Sequence, residues 1–317
     1  MIARPTTQGL ALMEAQSARL SGIKMPTVPQ TNPLAPMFLD IELPPWVSLS
    51  SIREIKHPFK NSRANFVAAT SDNADILISR FSPDHKGAYD NEKYCLISLA
   101  GTCAPRLLHS IDKANLLVRE YILGEPLASV AASDGLLEQC IGLYVNTLDL
   151  RPRVPNRNAL RSLAEIHVEA LRLLDSSERR ALHSLFRKLA FGPQVPCHRD
   201  FRPENVIVSG ANIPFVIDFD FYGMDSPAVD VARFCLNPSL TMSMTKRMNL
   251  TKTFCDVLQR TARIDVQPDE LIAGAYFWAI KSIDRLLMMQ ARGTITTAAE
   301  TYAKFLEPVR YLAGRSG

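Results

Sequence analysis

The chain has 317 residues, 47% of them hydrophobic and 21% charged, with a formal net charge of +4. This is ordinary globular composition, long enough for one large domain or two lobes with a buried core, and it excludes the strongly basic balance of most nucleic-acid-binding chains. No apolar stretch reaches the ~18 residues of a membrane span, and the six cysteines show neither a C-x-x-C pair nor a zinc spacing, which fits reduced thiols in a cytoplasmic protein.

Residues 1–45 read as a mobile, proline-rich extension with one short helix near residues 8–20. Prolines at 26, 29, 33, 36, 44 and 45 forbid a continuous helix there. The first residues lack the apolar core of a secretory signal. Their Arg, Ser and Ala content gives a weaker alternative, an organelle transit peptide.

Residues 46–125 form the expected first lobe. "ANFVAAT" and "ADILISRF" are short apolar runs joined by "SDN", which predicts a hairpin from Ala64 to Phe81. "YDNEKYCLISLAG" predicts a short amphipathic helix ended by Gly101. "NLLVREYILG" reads as another buried strand. From about residue 126 to 317 the pattern turns helical, with helices expected over 160–174, 178–192, 244–262, 268–292 and 298–314. Pro268 before two acids suits a helix start and Gly293 a stop.

"CHRDFRPENVIVS" and "PFVIDF", joined by the turn "GANI", interrupt those helices. Mg²⁺ prefers oxygen ligands, and phosphoryl transfer needs such a cation beside an oriented acceptor. Asp200 can accept a hydroxyl proton, Asn205 offers an uncharged oxygen, and Asp218 supplies a carboxylate. A hairpin between Asn205 and Asp218 brings both side chains to the same end. Taken singly, each residue is also explained as a turn cap or a strand end. Their order and spacing together favour chemistry.

"HRDFRPEN", "VIDFD" and "DVARF" resemble the aminoglycoside phosphotransferase and choline kinase family, whose pattern is His-x-Asp-x-x-x-x-Asn, then Ile-Asp-Trp/Phe-Glu/Asp, then Asp-Leu-Ala. The resemblance implies an α+β, protein-kinase-like, two-lobed fold: a small antiparallel-sheet N-lobe and a larger, mostly helical C-lobe. It also implies transfer of a phosphoryl group from ATP, with Mg²⁺, to a small hydroxylated acceptor. By position, Asp200 is then the catalytic base and Asn205 and Asp218 the magnesium ligands. Asp230 matches the acid that holds the catalytic loop, and His198 packs beneath that loop. "EKYCLISLAGTCAPRLL" resembles the family's Glu-bearing helix, so Glu92 is expected to pair with a basic residue on the preceding strand. Arg80 is the candidate, with Ser79 beside it. Main-chain groups from Glu120 to Ile122 correspond to the adenine-binding hinge.

"PFKNSRANFVAA" stands where a glycine-rich phosphate turn belongs, yet it holds no glycine. Ser62, Arg63 and Asn65 are the candidate donors there. Eleven residues separate Asp218 from Asp230 and no Ala-Pro-Glu follows, so the acceptor is expected to be a small molecule and not a protein. Asp269, Glu270 and Asp284 are acids that a cationic acceptor could meet. Two rival readings remain open. One is an idle, kinase-like protein that binds nucleotide or a partner. The other is a hydrolase using Asp200 and Asp218 as paired carboxylates.

Overall fold

The computed structural model describes residues 41–48, 51–55, 63–150, 168–293 and 299–314. The extension up to residue 40 and the greater part of the helix expected over 160–174 lie outside the described residues.

A five-stranded antiparallel sheet forms the N-terminal part. Its strands are β1 (Arg53–Ile55), β2 (Arg63–Ala69), β3 (Asp75–Phe81), β4 (Leu107–Ile111) and β5 (Leu116–Glu120), in the order β1-β2-β3-β5-β4. The hairpin stands where the sequence puts it. Asn73, at φ 62°, takes the left-handed conformation that its short polar side chain tolerates, and the Thr70 N–H donates to the Ala74 carbonyl at 2.9 Å.

Alternation divides the sheet into two faces. Phe66, Ala68, Ile76, Ile78, Leu116 and Val118 form one buried face, packed against Ile41, Val47 and Ile52. Residues 41–45 were assigned to the extension, yet Ile41 is part of this cover. The opposite face carries Arg63, Asn65, Ser79, Phe81, Leu117 and Arg119, because Arg63 pairs with Phe81, Asn65 with Ser79, and Ser79 with Leu117. Helix α1 (Lys86–Ser98) packs on this second face, burying Tyr89, Glu92, Cys95 and Leu96. It ends three residues before Gly101, which sits at φ 74°.

The remainder is mainly helical: α2 (Asp134–Thr147), α3 (Val168–Arg172), α4 (Ser176–Phe191), α5 (Pro227–Cys235), α6 (Met244–Val257), α7 (Pro268–Ala291) and α8 (Ala299–Leu312). Ser133 caps α2 through the Leu136 N–H, and Asp175 with Glu178 forms a capping box on α4. A single π-turn, Leu258–Ala262, extends α6. Between α4 and α5 run the short strands β7 (Val195–Cys197), β8 (Val206–Ser209), β9 (Pro214–Val216) and β10 (Gly223–Asp225). β6 (Gly124–Pro126) pairs with β8, so the chain crosses from the first sheet to the second part at Tyr121–Leu123.

Helix α7 is the hub, packing on α4, α5 and α8. Its Gly274 lies against the α5 backbone, where a Cβ would meet the Ala228 carbonyl carbon at 2.6 Å. Among the described residues no helix is long and apolar enough to cross a membrane. All six cysteines are free thiols, five of them buried.

Glu178 ties the C-terminal helix to this hub. Its Oε1 accepts from the Tyr276 hydroxyl at 2.9 Å and from Arg310 Nε at 2.9 Å, and its Oε2 accepts from Arg310 Nη2 at 3.0 Å. Burial opposes the Glu178 charge, but these donors and the Asp175 backbone prevail and hold its pKa below the usual value. A depressed carboxylate stabilises the fold above its unfolded pKa and loses that contribution as pH falls through the folded one. Arg310→Ala should therefore lower the unfolding free energy by about 1–2 kcal/mol near neutral pH. The deficit should shrink below about pH 4. Urea denaturation of both proteins across that range measures it, and a pH-independent deficit would contradict the assignment.

Candidate active site

The loop Cys197–Asn205 is held from below by one buried acid. Asp230, in the first turn of α5, accepts from the Arg199 N–H at 2.8 Å and from the Phe201 N–H at 3.3 Å. Those two bonds bend the chain, and Arg199 stands at φ 64°, a conformation that costs a non-glycine residue about 1–3 kcal/mol. His198 is buried, with Nε2 at 3.0 Å from the Ile217 carbonyl oxygen and its ring 4.8 Å from that of Phe219. Phe201 stacks on Phe234 at 4.7 Å. The loop is thus fixed on both sides by packing.

Asp200 is partly buried, with 19% of its side chain exposed. Its Oδ1 lies 3.1 Å from Arg233 Nη1, and its Oδ2 3.4 Å from Arg202 Nε. Asn205 Nδ2 donates to Asp200 Oδ2 at 2.9 Å and to the Asp200 carbonyl at 2.8 Å. The amide nitrogen being engaged, Oδ1 is the atom that Asn205 has left to offer a cation. The Ile217 N–H donates to the Asn205 carbonyl at 2.9 Å, which locks the loop to the segment bearing Asp218. Asp218 follows β9 by two residues and is itself at φ 70°. Cys197, at the edge of this loop, is no nucleophile: burial pushes its thiol well above the ordinary value.

A second cluster joins the sheet to this segment. Glu92 is fully buried on α1. Its Oε1 accepts from Arg119 Nη1 at 2.6 Å, and its Oε2 accepts from the Phe219 N–H at 2.6 Å. Arg63 Nη1 is 3.7 Å from Glu92 and 2.8 Å from Asp220, and Arg63 Nη2 is 3.2 Å from Asp218. Glu92, Asp218 and Asp220 each place an oxygen within 4.8 Å of the others. This donor set and the Asn205 oxygen fit a hard, oxygen-seeking cation such as Mg²⁺. Burial disfavours the Arg63 charge, but Asp218, Glu92 and Asp220 outweigh it and raise its pKa. Burial lowers that of Arg119, with Glu92 opposing.

The structure thus brings Asp200, Asn205, His198 and Asp230 together around one loop, with Asp218 on the adjoining segment and Glu92 reaching that segment from α1. It does not form the expected Arg80–Glu92 pair. Strand parity points Arg80 to the opposite face of β3 from α1, and Arg119 and Arg63 take its place at Glu92. On the face of β3 toward α1, the Ser79 hydroxyl donates to Asn65 Oδ1 at 2.7 Å. Glu120 pairs with Arg106, its Oε2 3.5 Å from Arg106 Nε. Beyond it, the Ile122 main chain makes no hydrogen bond to another described residue, and Leu123 is 78% exposed. Of the acids considered for an acceptor, Asp269 pairs with Lys188, Glu270 closes the α7 capping box and Asp284 is buried. Arg119 was missed in sequence. A lone arginine inside "LLVRE" was the available signal, since a charge in a buried strand requires a partner.

The family model described as "Phosphotransferase enzyme family" matches residues 57–262. Solved structures share the fold at low identity. An aminoglycoside phosphotransferase, APH(4)-Ia, is 13% identical, with a TM-score of 0.56, over 82% of this chain and 93% of its own. The macrolide 2′-phosphotransferase MphH from Brachybacterium faecium is 12% identical, with a TM-score of 0.55, over 90% and 99%. A choline/ethanolamine kinase family protein from Mesorhizobium loti is 15% identical, with a TM-score of 0.54, over 96% and 100%. No curated protein matches the chain significantly. The α+β, protein-kinase-like fold expected from the motifs is therefore the fold of this chain, with its antiparallel sheet first and its helical part second. A match over well more than half of the sequence, centred on the loop that Asp230 holds, settles the lineage: the chain belongs to the phosphotransferase enzyme family.

Proposed function

We propose that the chain is an ATP- and Mg²⁺-dependent kinase that phosphorylates a hydroxyl of a sugar, amino alcohol or aminoglycoside-like acceptor. The observation that carries this reading is the Asp200–Asn205 pair. It is a partly exposed carboxylate on a loop held by the buried Asp230, beside an amide whose oxygen is left to offer, and the Ile217 N–H ties this loop to the segment that carries Asp218. The structures of like fold include an aminoglycoside phosphotransferase, a macrolide 2′-phosphotransferase and a choline/ethanolamine kinase family protein, which supports a small hydroxylated acceptor.

In this reading residues 46–125 are a nucleotide-binding lobe and residues 126–317 a catalytic lobe. The unpaired main chain at Ile122 receives the adenine. Asp200 accepts the hydrogen of the acceptor hydroxyl and aims its oxygen at the γ-phosphorus. The O–P bond forms as the bridging bond to the β-phosphate breaks, ADP departs, and the proton passes by way of Asp200 to solvent. Asn205 and Asp218 would hold Mg²⁺, which supplies charge neutralisation on the phosphates. Free, mostly buried thiols suit the reducing cytoplasm.

Two observations favour the rival, an idle nucleotide-binding protein: Arg63 sits on Asp218, and β3 carries the buried Ser79 on its α1 face in place of a basic residue. An ATP-consumption screen over sugars, amino alcohols and aminoglycosides separates the two. Mg²⁺-dependent nucleotide binding without turnover of any acceptor would favour the rival.

Asp200→Asn should cut kcat by about 10²–10⁴-fold while leaving ATP affinity in place. Steady-state kinetics check this, and full activity in the variant would remove Asp200 as base. Asp218→Ala should weaken Mg²⁺–nucleotide binding itself, read as a lost dependence of ATP affinity on Mg²⁺ in calorimetric titrations. An unchanged dependence would take Asp218 out of the metal site.

A further inference from the structure

Transfer from ATP requires a fixed cation on the nucleotide phosphates. The expected source was a basic side chain on β3 paired to Glu92. The register leaves no room for that arrangement. Ser79 lies on the α1 face of β3 between Leu77 and Phe81, where neither neighbour carries a charge. It is fully buried and spends its hydroxyl on Asn65. Positive charge reaches the same place from the two neighbouring strands instead.

The two arginines are not equivalent. Arg119, on β5, gives its Nη1 to Glu92 at 2.6 Å and is buried. It is the counter-ion of Glu92. Arg63 is the first residue of β2, at the exit of the glycine-free stretch that stands where a phosphate turn belongs. Its guanidinium lies over the Phe81 ring at 5.6 Å and reaches Asp218 and Asp220 on the segment after β9. The Nε atom is buried and has no hydrogen-bond partner among the described residues, although Arg63 is only 8% exposed.

We propose that Arg63, reaching in from β2, is the residue that anchors the nucleotide phosphates in place of a basic residue on β3. The inference rests on the kinase reading above. In the nucleotide-free arrangement Arg63 neutralises Asp218. A divalent cation held by the Asp218 carboxylate would repel the guanidinium, and a phosphate oxygen brought by the nucleotide would offer Nη2 another anion. Asp220, 2.8 Å from Nη1, keeps the side chain in place through the exchange. A planar guanidinium can hold Asp220 and a phosphate oxygen at once through separate N–H groups, which a single ammonium point charge does less well.

Calorimetric titration of Mg²⁺–ATP into the full chain tests this, alongside steady-state kinetics. Wild-type protein should bind. Arg63→Gln should bind Mg²⁺–ATP about tenfold or more weakly, while KM for the acceptor stays within about threefold. If Arg63→Gln fails to fold, Arg63→Lys keeps the buried charge without the planar fork and should still bind Mg²⁺–ATP more weakly than wild type. Recovery of affinity on adding Ser79→Lys to Arg63→Gln would further support the exchange of strands. Nucleotide affinity within about twofold of wild type in a folded variant overturns the proposal and leaves the kinase reading standing. A parallel loss of nucleotide and acceptor affinity also overturns it, since that marks a structural role. Failure of the wild-type protein to bind Mg²⁺–ATP overturns both.

Discussion

Glu92 has no access to water, and each of its oxygens is committed to a different part of the molecule. Oε1 is held by Arg119 from the sheet, and Oε2 by the Phe219 N–H from the segment that carries Asp218. Removing one member of such a buried pair typically costs about 3–5 kcal/mol, because the other charge is left unsatisfied. The position of α1, the approach of the sheet to the Cys197–Asn205 loop, and the placement of Asp218 all depend on this carboxylate. Asn91, its neighbour on α1, adds a bond to the Asp220 carbonyl at 3.1 Å. One turn of helix thus fixes the segment at two points.

For the Cys197–Asn205 loop the organising group is Asp230. It satisfies two backbone N–H groups that the bent loop could not pair otherwise. Arg199 and Asp218 both stand at positive φ. Such strain persists only where the surroundings over-determine it. Here the aromatic packing of His198, Phe201, Phe219 and Phe234 does so. The price of a fixed, partly exposed Asp200 is therefore met by a dense apolar layer beneath it.

The Cys197–Asn205 loop was legible in sequence because its parts are local. Asp200 and Asn205 are five residues apart, and Asp218 returns beside them through one hairpin. Asp230 sits in the next helix. The hairpin of β2 and β3, α1, and the limits of α7 were also readable, since turn residues and caps mark them. The partner of Glu92 was not. "DILISRF" is buried on both faces, so its apolar pattern carries no parity, and Arg80 and Ser79 could not be told apart by alternation. Arg119 and Arg63 come together only through the pairing of three strands, which no local pattern encodes. The limit between extension and first lobe was placed too late for a similar reason: Ile41 is buried only against residues far along the chain.

The uncharged Ser79–Asn65 pair also bears on how this protein can be targeted. A reagent that acylates primary amines finds none on β3, whose sequence is DILISRF. Here that strand presents a buried hydroxyl, flanked by guanidinium groups that stay protonated and resist acylation. An amine-seeking reagent directed at β3 would therefore leave this strand unmodified.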